Sequence, residues 1–252
     1  MAEGAGLVIA LLLFASSPVT EETGTVRIFA AASLADSLGE ILDLFRASHG
    51  SVRVVPQFGA SSDLARQIVA GAPAHVFVSA DERQMDRVEA RGFVEDGFRR
   101  DLLSNQLVIV EARAAPPGVR GPSDLERTER IALADPEAVP AGVYARQYLE
   151  KLGLWDRLRA RVVPTLDVRA ALAAVGSGNV DAGIVYRTDA SLDRRVRVAF
   201  EVPRDEGPKI RYPLALMRGA GAGARALHGF LVSREAGAVF ERYGFVVSIP
   251  SE

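Results

Sequence analysis

Between Val26 and Phe45 the hydrophobic period of the chain changes, and that change constrains the fold more than any other feature. Val26, Ile28 and Phe29 read as a short strand, which thins into three alanines and reaches Ser33. Behind it apolar residues recur at Leu34, Leu38, Ile41, Leu42 and Phe45, the spacing of one helix face. A strand therefore feeds a helix through a segment that is almost all backbone, and Ser33 holds the place an N-cap serine prefers. A helix N-terminus presents unpaired N–H groups and a partial positive charge. It can hold an anion without a cationic side chain.

The same device recurs along the chain. Strands are expected at 52–55, 107–111, 131–134, 161–163, 182–186, 196–200 and 212–217, with a turn and a buried strand across 71–79, and most are followed by a helical pattern. Asp81 reads as the cap of a helix that ends at Gly92, and two helices, about 224–233 and 235–243, close the chain. Repeated strand–loop–helix units argue an α/β protein built on parallel sheet. Four loops leave a strand and enter a helix through small or capping residues: Ala32-Ser33, Ala60-Ser61-Ser62, Pro140-Ala141-Gly142 and Asp167-Val168. Ligands of open α/β sheets bind outside the carboxyl ends of the strands, where such helix starts gather. Capping accounts for each loop alone; the four together, without a cationic or metal-binding cluster, fit an oxyanion site built from neutral donors as well as they fit the ordinary helix starts that any α/β protein supplies.

Composition removes several other chemistries. There is no Cys, which excludes disulfides, thiolate catalysis and Cys-based metal sites. A formal net charge of −2 gives no reason to expect nucleic acid or an acidic membrane as partner. The three histidines, His49, His75 and His228, are scattered without metal-ligand spacing. No phosphate-binding glycine loop opens a helix, and Gly176-Ser-Gly178 reads as a helix end, not as a nucleophile elbow. Tyr186, at the end of a buried strand, reads as core, and Trp155 as a packing residue.

Residues 1–22 read as a signal peptide, so export is expected. Leu7 to Ala15 is an apolar run too short to span a bilayer, followed by Ser16 and Ser17 and then polar residues. The segment before it holds Glu3 and no Lys or Arg, an atypical start for a leader.

At this point the residues are familiar. Phe29-Ala-Ala-Ala-Ser-Leu34, Phe58 to Ser62, Leu64-Ala-Arg-Gln-Ile68 with Gly71-Ala-Pro-Ala74, and Val78-Ser-Ala-Asp81 occur in that order. Asp135-Pro-Glu-Ala-Val-Pro-Ala-Gly142, Asp167-Val-Arg169, Gly183-Ile-Val-Tyr186 and Arg242-Tyr-Gly-Phe245 follow. Over about residues 25–248 the chain resembles the molybdate-binding periplasmic proteins of ABC transporters, the ModA family.

The resemblance implies an α/β periplasmic binding protein fold of type II: two lobes joined by two crossover strands, with a ligand cleft between them. Lobe one is expected over 25–104 plus 214–252, and lobe two over 106–212. It also implies a tetrahedral oxyanion, molybdate or tungstate, held by Ser33 and Ser61 from lobe one and by Ala141, Val168 and Tyr186 from lobe two. The serines and the tyrosine give hydroxyls, Ala141 and Val168 give backbone N–H groups, and the only metal is the atom inside the oxyanion. Fully deprotonated, such an anion needs donors and no acceptors. The implied protein is a periplasmic monomer with no cofactor and no enzymatic activity that hands its ligand to a membrane permease.

Two positions depart from the family pattern. His75 stands where the family usually has Asp, and Asp63 stands beside the serine pair where an uncharged residue is commoner. If Ser61 caps its helix, Asp63 falls at the second helical position and faces solvent. A sulfate- or phosphate-binding protein on the same fold is the nearest alternative. An enzyme using Ser33 or Ser61 as nucleophile is the alternative from another class, disfavoured because no base lies nearby in sequence. The effector lobe of a transcription regulator is a third, against which the leader and the lack of a helix-turn-helix segment count.

Overall fold

The computed structural model describes residues 25–248. The expected signal peptide lies outside them.

The chain starts with strand β1 (Val26–Ala31), passes a short 3-10 turn at Ala32–Leu34, and enters helix α1 (Ala35–Ser48). Then come β2 (Val54–Gly59), α2 (Ser61–Val69), β3 (Val76–Val78), α3 (Glu82–Glu89) and β4 (Val94–Ser104). A second set follows: β5 (Leu107–Ala112), β6 (Ile131–Ala134), α4 (Pro140–Lys151), α5 (Trp155–Leu158), β7 (Val162–Thr165), α6 (Val168–Gly176), β8 (Ala182–Tyr186), α7 (Arg187–Leu192) and β9 (Val196–Glu201). The chain then returns through β10 (Arg211–Met217), α8 (Ala222–Leu231), α9 (Arg234–Arg242) and β11 (Val246–Val247).

These strands form two sheets, one per lobe. The six-stranded sheet runs β11-β4-β10-β3-β1-β2 and the five-stranded sheet β7-β6-β8-β5-β9. The chain crosses between them twice, from β4 to β5 through Asn105 and Gln106, and from β9 back to β10 through residues 202–210. Because β10 joins the first sheet from Arg211 onward, the expected boundary at 212 cuts through that strand.

The sheets are not wholly parallel, contrary to the strand–helix pattern. β1, β2 and β3 are parallel, as are β7, β6 and β8. β10 is antiparallel to β3 and β4, and β5 is antiparallel to β8 and β9. The strands that run against the others are β5 and β10, each the first strand entered after a crossing, together with the edge strand β11. A helix crossover keeps neighbouring strands parallel, and a strand arriving directly from the other lobe carries no such requirement.

Local chemistry explains the elements that feed the cleft. The face predicted for α1 is buried throughout: Leu34, Leu38, Ile41, Leu42 and Phe45 are at most 1 % exposed. Each such side chain contributes about 1.5–3 kcal/mol by leaving water, which pins the helix against the sheet. Asp81 caps α3 by accepting from the Gln84 N–H at 3.0 Å. The opposite end of that helix passes into Gly92, whose φ of +76° few other residues adopt. Asp167 caps α6 by accepting from the Ala170 N–H at 2.9 Å. Among the described residues no helix is long and apolar enough to cross a membrane.

Candidate functional site

The first turns of the 3-10 segment before α1 and of α2, α4 and α6 converge between the two sheets. Ser33, Ser61, Ala141, Val168 and Tyr186, the five positions singled out from sequence, all line one cavity there. Ala31, Ala32, Gly59, Ala60, Ala80, Val139, Pro140 and Asp167 complete its wall. It is small, about 10 Å3, the room of about one water-sized sphere. All five site residues are buried.

Each is placed by a local reason. Ala30, Ala31 and Ala32 bury almost completely and bring the backbone close to its neighbours at the end of β1. Ser33 does not cap a helix as expected: it lies inside the 3-10 turn, α1 begins two residues later, and no side chain caps it. Its Oγ lies instead 3.1 Å from the Tyr212 hydroxyl. Ser61 is also not a cap. Ala60 occupies that place, Ser61 is the first helical residue, and its Oγ accepts from the Ala80 N–H at 2.9 Å. The N–H groups of a first helical turn have no partner within their own helix and are free for a ligand.

In the second lobe, Pro140 opens α4 and Ala141 follows it in the first turn. Gly142 allows this turn to press on the end of β6, since a Cβ there would stand 1.9 Å from the Ala134 carbonyl oxygen. Val168 is the first residue of α6, directly after its Asp167 cap. Tyr186 ends β8 with its ring 5.9 Å from that of Tyr212. Its hydroxyl is buried and meets no hydrogen-bond partner among the described residues. An orphaned buried hydroxyl costs about 1–3 kcal/mol, so core packing does not account for it.

The electrostatics are those of a neutral donor site. Burial, first of all, holds the Tyr186 hydroxyl well above its usual range, so it keeps a proton to donate. Asp167 is the one charged residue of the wall, and its carboxylate is turned to the Ala170 N–H. Just outside, Arg169 of α6 pairs with buried Asp189 and, across the cleft, with Asp36 of α1 at 2.6 Å. Burial pushes the Asp189 carboxyl up to about 7, partly offset by Arg169. The sequence reading carried Arg169 only as part of a motif. The signal that would have found it is a cation next to a helix start whose partners are both acidic and distant in sequence.

Asp63 sits at the third helical position, not the second, because Ala60 is the cap. It stays half-exposed, 2.6 Å from Arg66, outside the cavity wall. His75 has a local role: its Nδ1 accepts from the Arg27 N–H at 2.9 Å. Neither serine of the cavity has a base: Ser33 meets a tyrosine and Ser61 a backbone amide. Ser177 stands at the end of α6, not in an elbow.

Known proteins resemble this chain over most of its length. The family model for bacterial extracellular solute-binding proteins matches residues 26–246. The molybdate-binding protein ModA of Escherichia coli (strain K12) is 39 % identical over 233 residues, which cover 90 % of each chain. The solved periplasmic molybdate-binding protein of Azotobacter vinelandii superposes with a TM-score of 0.78 at 26 % identity, over 90 % of this chain and 100 % of that one. The sulfate-binding protein SubI of Mycobacterium tuberculosis H37Rv gives the same TM-score of 0.78 at 20 % identity, over 90 % and 88 % of the two chains. At that identity it speaks for the fold alone.

Proposed function

Because the chain belongs to the bacterial extracellular solute-binding proteins, and among them to the ModA family, we propose that it captures molybdate, and tungstate with it, in the periplasm and delivers the ion to an ABC permease. The observation that carries this reading is the convergence of Ser33, Ser61, Ala141, Val168 and Tyr186 on one buried cavity with an unpartnered hydroxyl in its wall.

In this reading each serine offers a hydroxyl and a backbone N–H, Ala141 and Val168 offer backbone N–H groups, and Tyr186 offers its hydroxyl. Hydrogen bonds to a charged group are worth about 1.5–3 kcal/mol each, which offsets dehydration of the dianion. Their sum overstates affinity, because closing the lobes also costs free energy. The donors come from both sides of the cleft, so the anion binds the closed form better than an open one, and capture draws the lobes together by hinge motion about the two crossings. The closed form is the one the permease reads.

Calorimetric titration of the purified chain with molybdate, tungstate, sulfate and phosphate tests the proposal. Heat from molybdate and tungstate, with no competition from sulfate at comparable concentration, is expected. Ser33→Ala removes one hydroxyl donor and should cost about 1.5–3 kcal/mol, roughly ten- to hundredfold in Kd. Ala141→Ser should change little, since that residue donates through its backbone. A Ser33→Ala chain that binds as wild type does refutes the site assignment.

A further inference from the structure

The hydroxyl proton of a serine can point either way, and a site for a fully deprotonated anion works only if it points at the ligand. The structure sets that direction for Ser33 from outside the cavity. Asn105, in the first crossing between lobes, accepts from the Gln106 N–H through Oδ1 at 2.8 Å. That bond fixes which end of the amide is oxygen, so Nδ2 is the donor end. Its two protons go to Thr188 Oγ1 at 3.0 Å and to the Tyr212 hydroxyl at 3.2 Å.

Tyr212 therefore receives a hydrogen bond and keeps a single proton of its own. Burial holds that hydroxyl protonated. The acceptor within reach is Ser33 Oγ at 3.1 Å. With its oxygen already accepting from Tyr212, Ser33 has its own proton left to give, and Ser33 lines the cavity. The backbone does the same for Ser61, whose Oγ accepts from the Ala80 N–H, a group that can only donate.

We propose that Asn105 and Tyr212 are positioning residues that form a one-way hydrogen-bond relay, Asn105 to Tyr212 to Ser33, committing the Ser33 hydroxyl to donate to the bound oxyanion. The relay rests on the molybdate reading of the site. Asn105, Tyr212 and Thr188 are all buried, so water does not compete with it. It also ties the hinge to the ligand. Asn105 lies in one crossing and Tyr212 in the strand that receives the other, while Thr188 stands on α7 of the second lobe.

A double-mutant cycle on the full chain, read by calorimetry with sodium molybdate, tests the relay. Tyr212→Phe removes one oxygen atom from a buried ring and should weaken molybdate binding about tenfold while Ser33 is present. In a Ser33→Ala background the same change should cost less than about twofold, because its target is gone. A residue that merely packs costs the same in both backgrounds. Should Tyr212→Phe fail to fold, Asn105→Leu replaces it: it frees Tyr212 to accept from Ser33, and its cost must likewise depend on Ser33. Equal losses in the two backgrounds, or no loss in either, overturn the relay while wild-type binding leaves the capture reading standing. A wild-type chain that takes up no molybdate overturns both.

Discussion

Gly142 offers the sharpest test of how the cavity is built, because it donates nothing itself and yet governs the proposed donor beside it. On the present backbone, an added Cβ would stand 1.9 Å from the Ala134 carbonyl oxygen and 2.6 Å from that of Asp135, where real Cβ atoms essentially never come under 3.0 Å. The obstacle is backbone at the end of β6, an interior strand of its sheet, and Asp135 N–H is tied to the Thr165 carbonyl at 3.0 Å. The first turn of α4 must therefore lift by roughly 1 Å. Overpacking of this kind costs about 1–3 kcal/mol, and backbone against backbone belongs at the upper end. The Ala141 N–H moves with the turn, and a hydrogen bond stretched by about 1 Å is lost. Gly142→Ala should thus weaken molybdate binding by about 1.5–3 kcal/mol, ten- to hundredfold. Calorimetry on the folded variant, with urea unfolding alongside, reads both effects. Gly39→Ala, in α1 with open space around it, is the control and should gain about 0.5–1 kcal/mol of stability. A Gly142→Ala chain that binds within threefold of wild type would falsify the argument that this close approach sets the donor.

Three further outcomes are expected. The Asp189 carboxyl titrates near 7 in the folded chain and near 3.9 unfolded, so the folded state holds an extra proton between those values. Its contribution is complete below about pH 4 and lost as pH rises toward 7, at up to about 1.4 kcal/mol per unit; urea unfolding of wild type and Asp189→Asn at several pH values should show the gap between them closing or reversing with that slope, and a constant gap refutes it. Asp36→Asn removes the half-exposed end of the Arg169 bridge between lobes and should weaken molybdate binding by less than about 1 kcal/mol, an effect that fades in high salt. Asp63→Asn, on a half-exposed carboxylate already paired with Arg66, should also shift affinity by less than about 1 kcal/mol, and phosphate should give no heat with either form; a phosphate signal lost in Asp63→Asn would overturn the molybdate reading.

What was legible in the sequence is what is local. The switch of period at Ser33, Ser61, Ala141 and Val168 marks strand ends feeding helices, and all four line the cavity. The α3 and α6 caps were legible for the same reason, since a cap bond spans three residues. Capping by Ser33 and Ser61 was misread, because hydrophobic spacing does not register a 3-10 turn or a helix that starts one residue early. Strand β4 carries Arg99, Arg100 and Asp101 on a half-exposed stretch, so its alternation is blurred and it went unrecognised. Tyr186 reads as core from its strand alone, and only the resemblance pointed to its hydroxyl. The Tyr212 bond to Ser33 joins residues 179 apart in the chain. No periodicity carries that information.

In the proposed reading the first turns of α4 and α6, which line the cavity, meet the anion through peptide groups, and this decides how the site can decay or drift. A donor that belongs to the backbone has no side chain for a codon change to erase, so a replacement at Ala141 or Val168 that fits the buried space leaves the N–H in place. The vulnerable positions are displaced onto their neighbours: Gly142, which tolerates no added carbon, and Asp167, whose carboxylate holds the start of α6. Loss of capture by point mutation should therefore arise more often at residues beside the proposed ligand contacts than at Ala141 and Val168 themselves. A saturation library across 139–143 and 166–170, selected for growth on scarce molybdate, would trace that pattern.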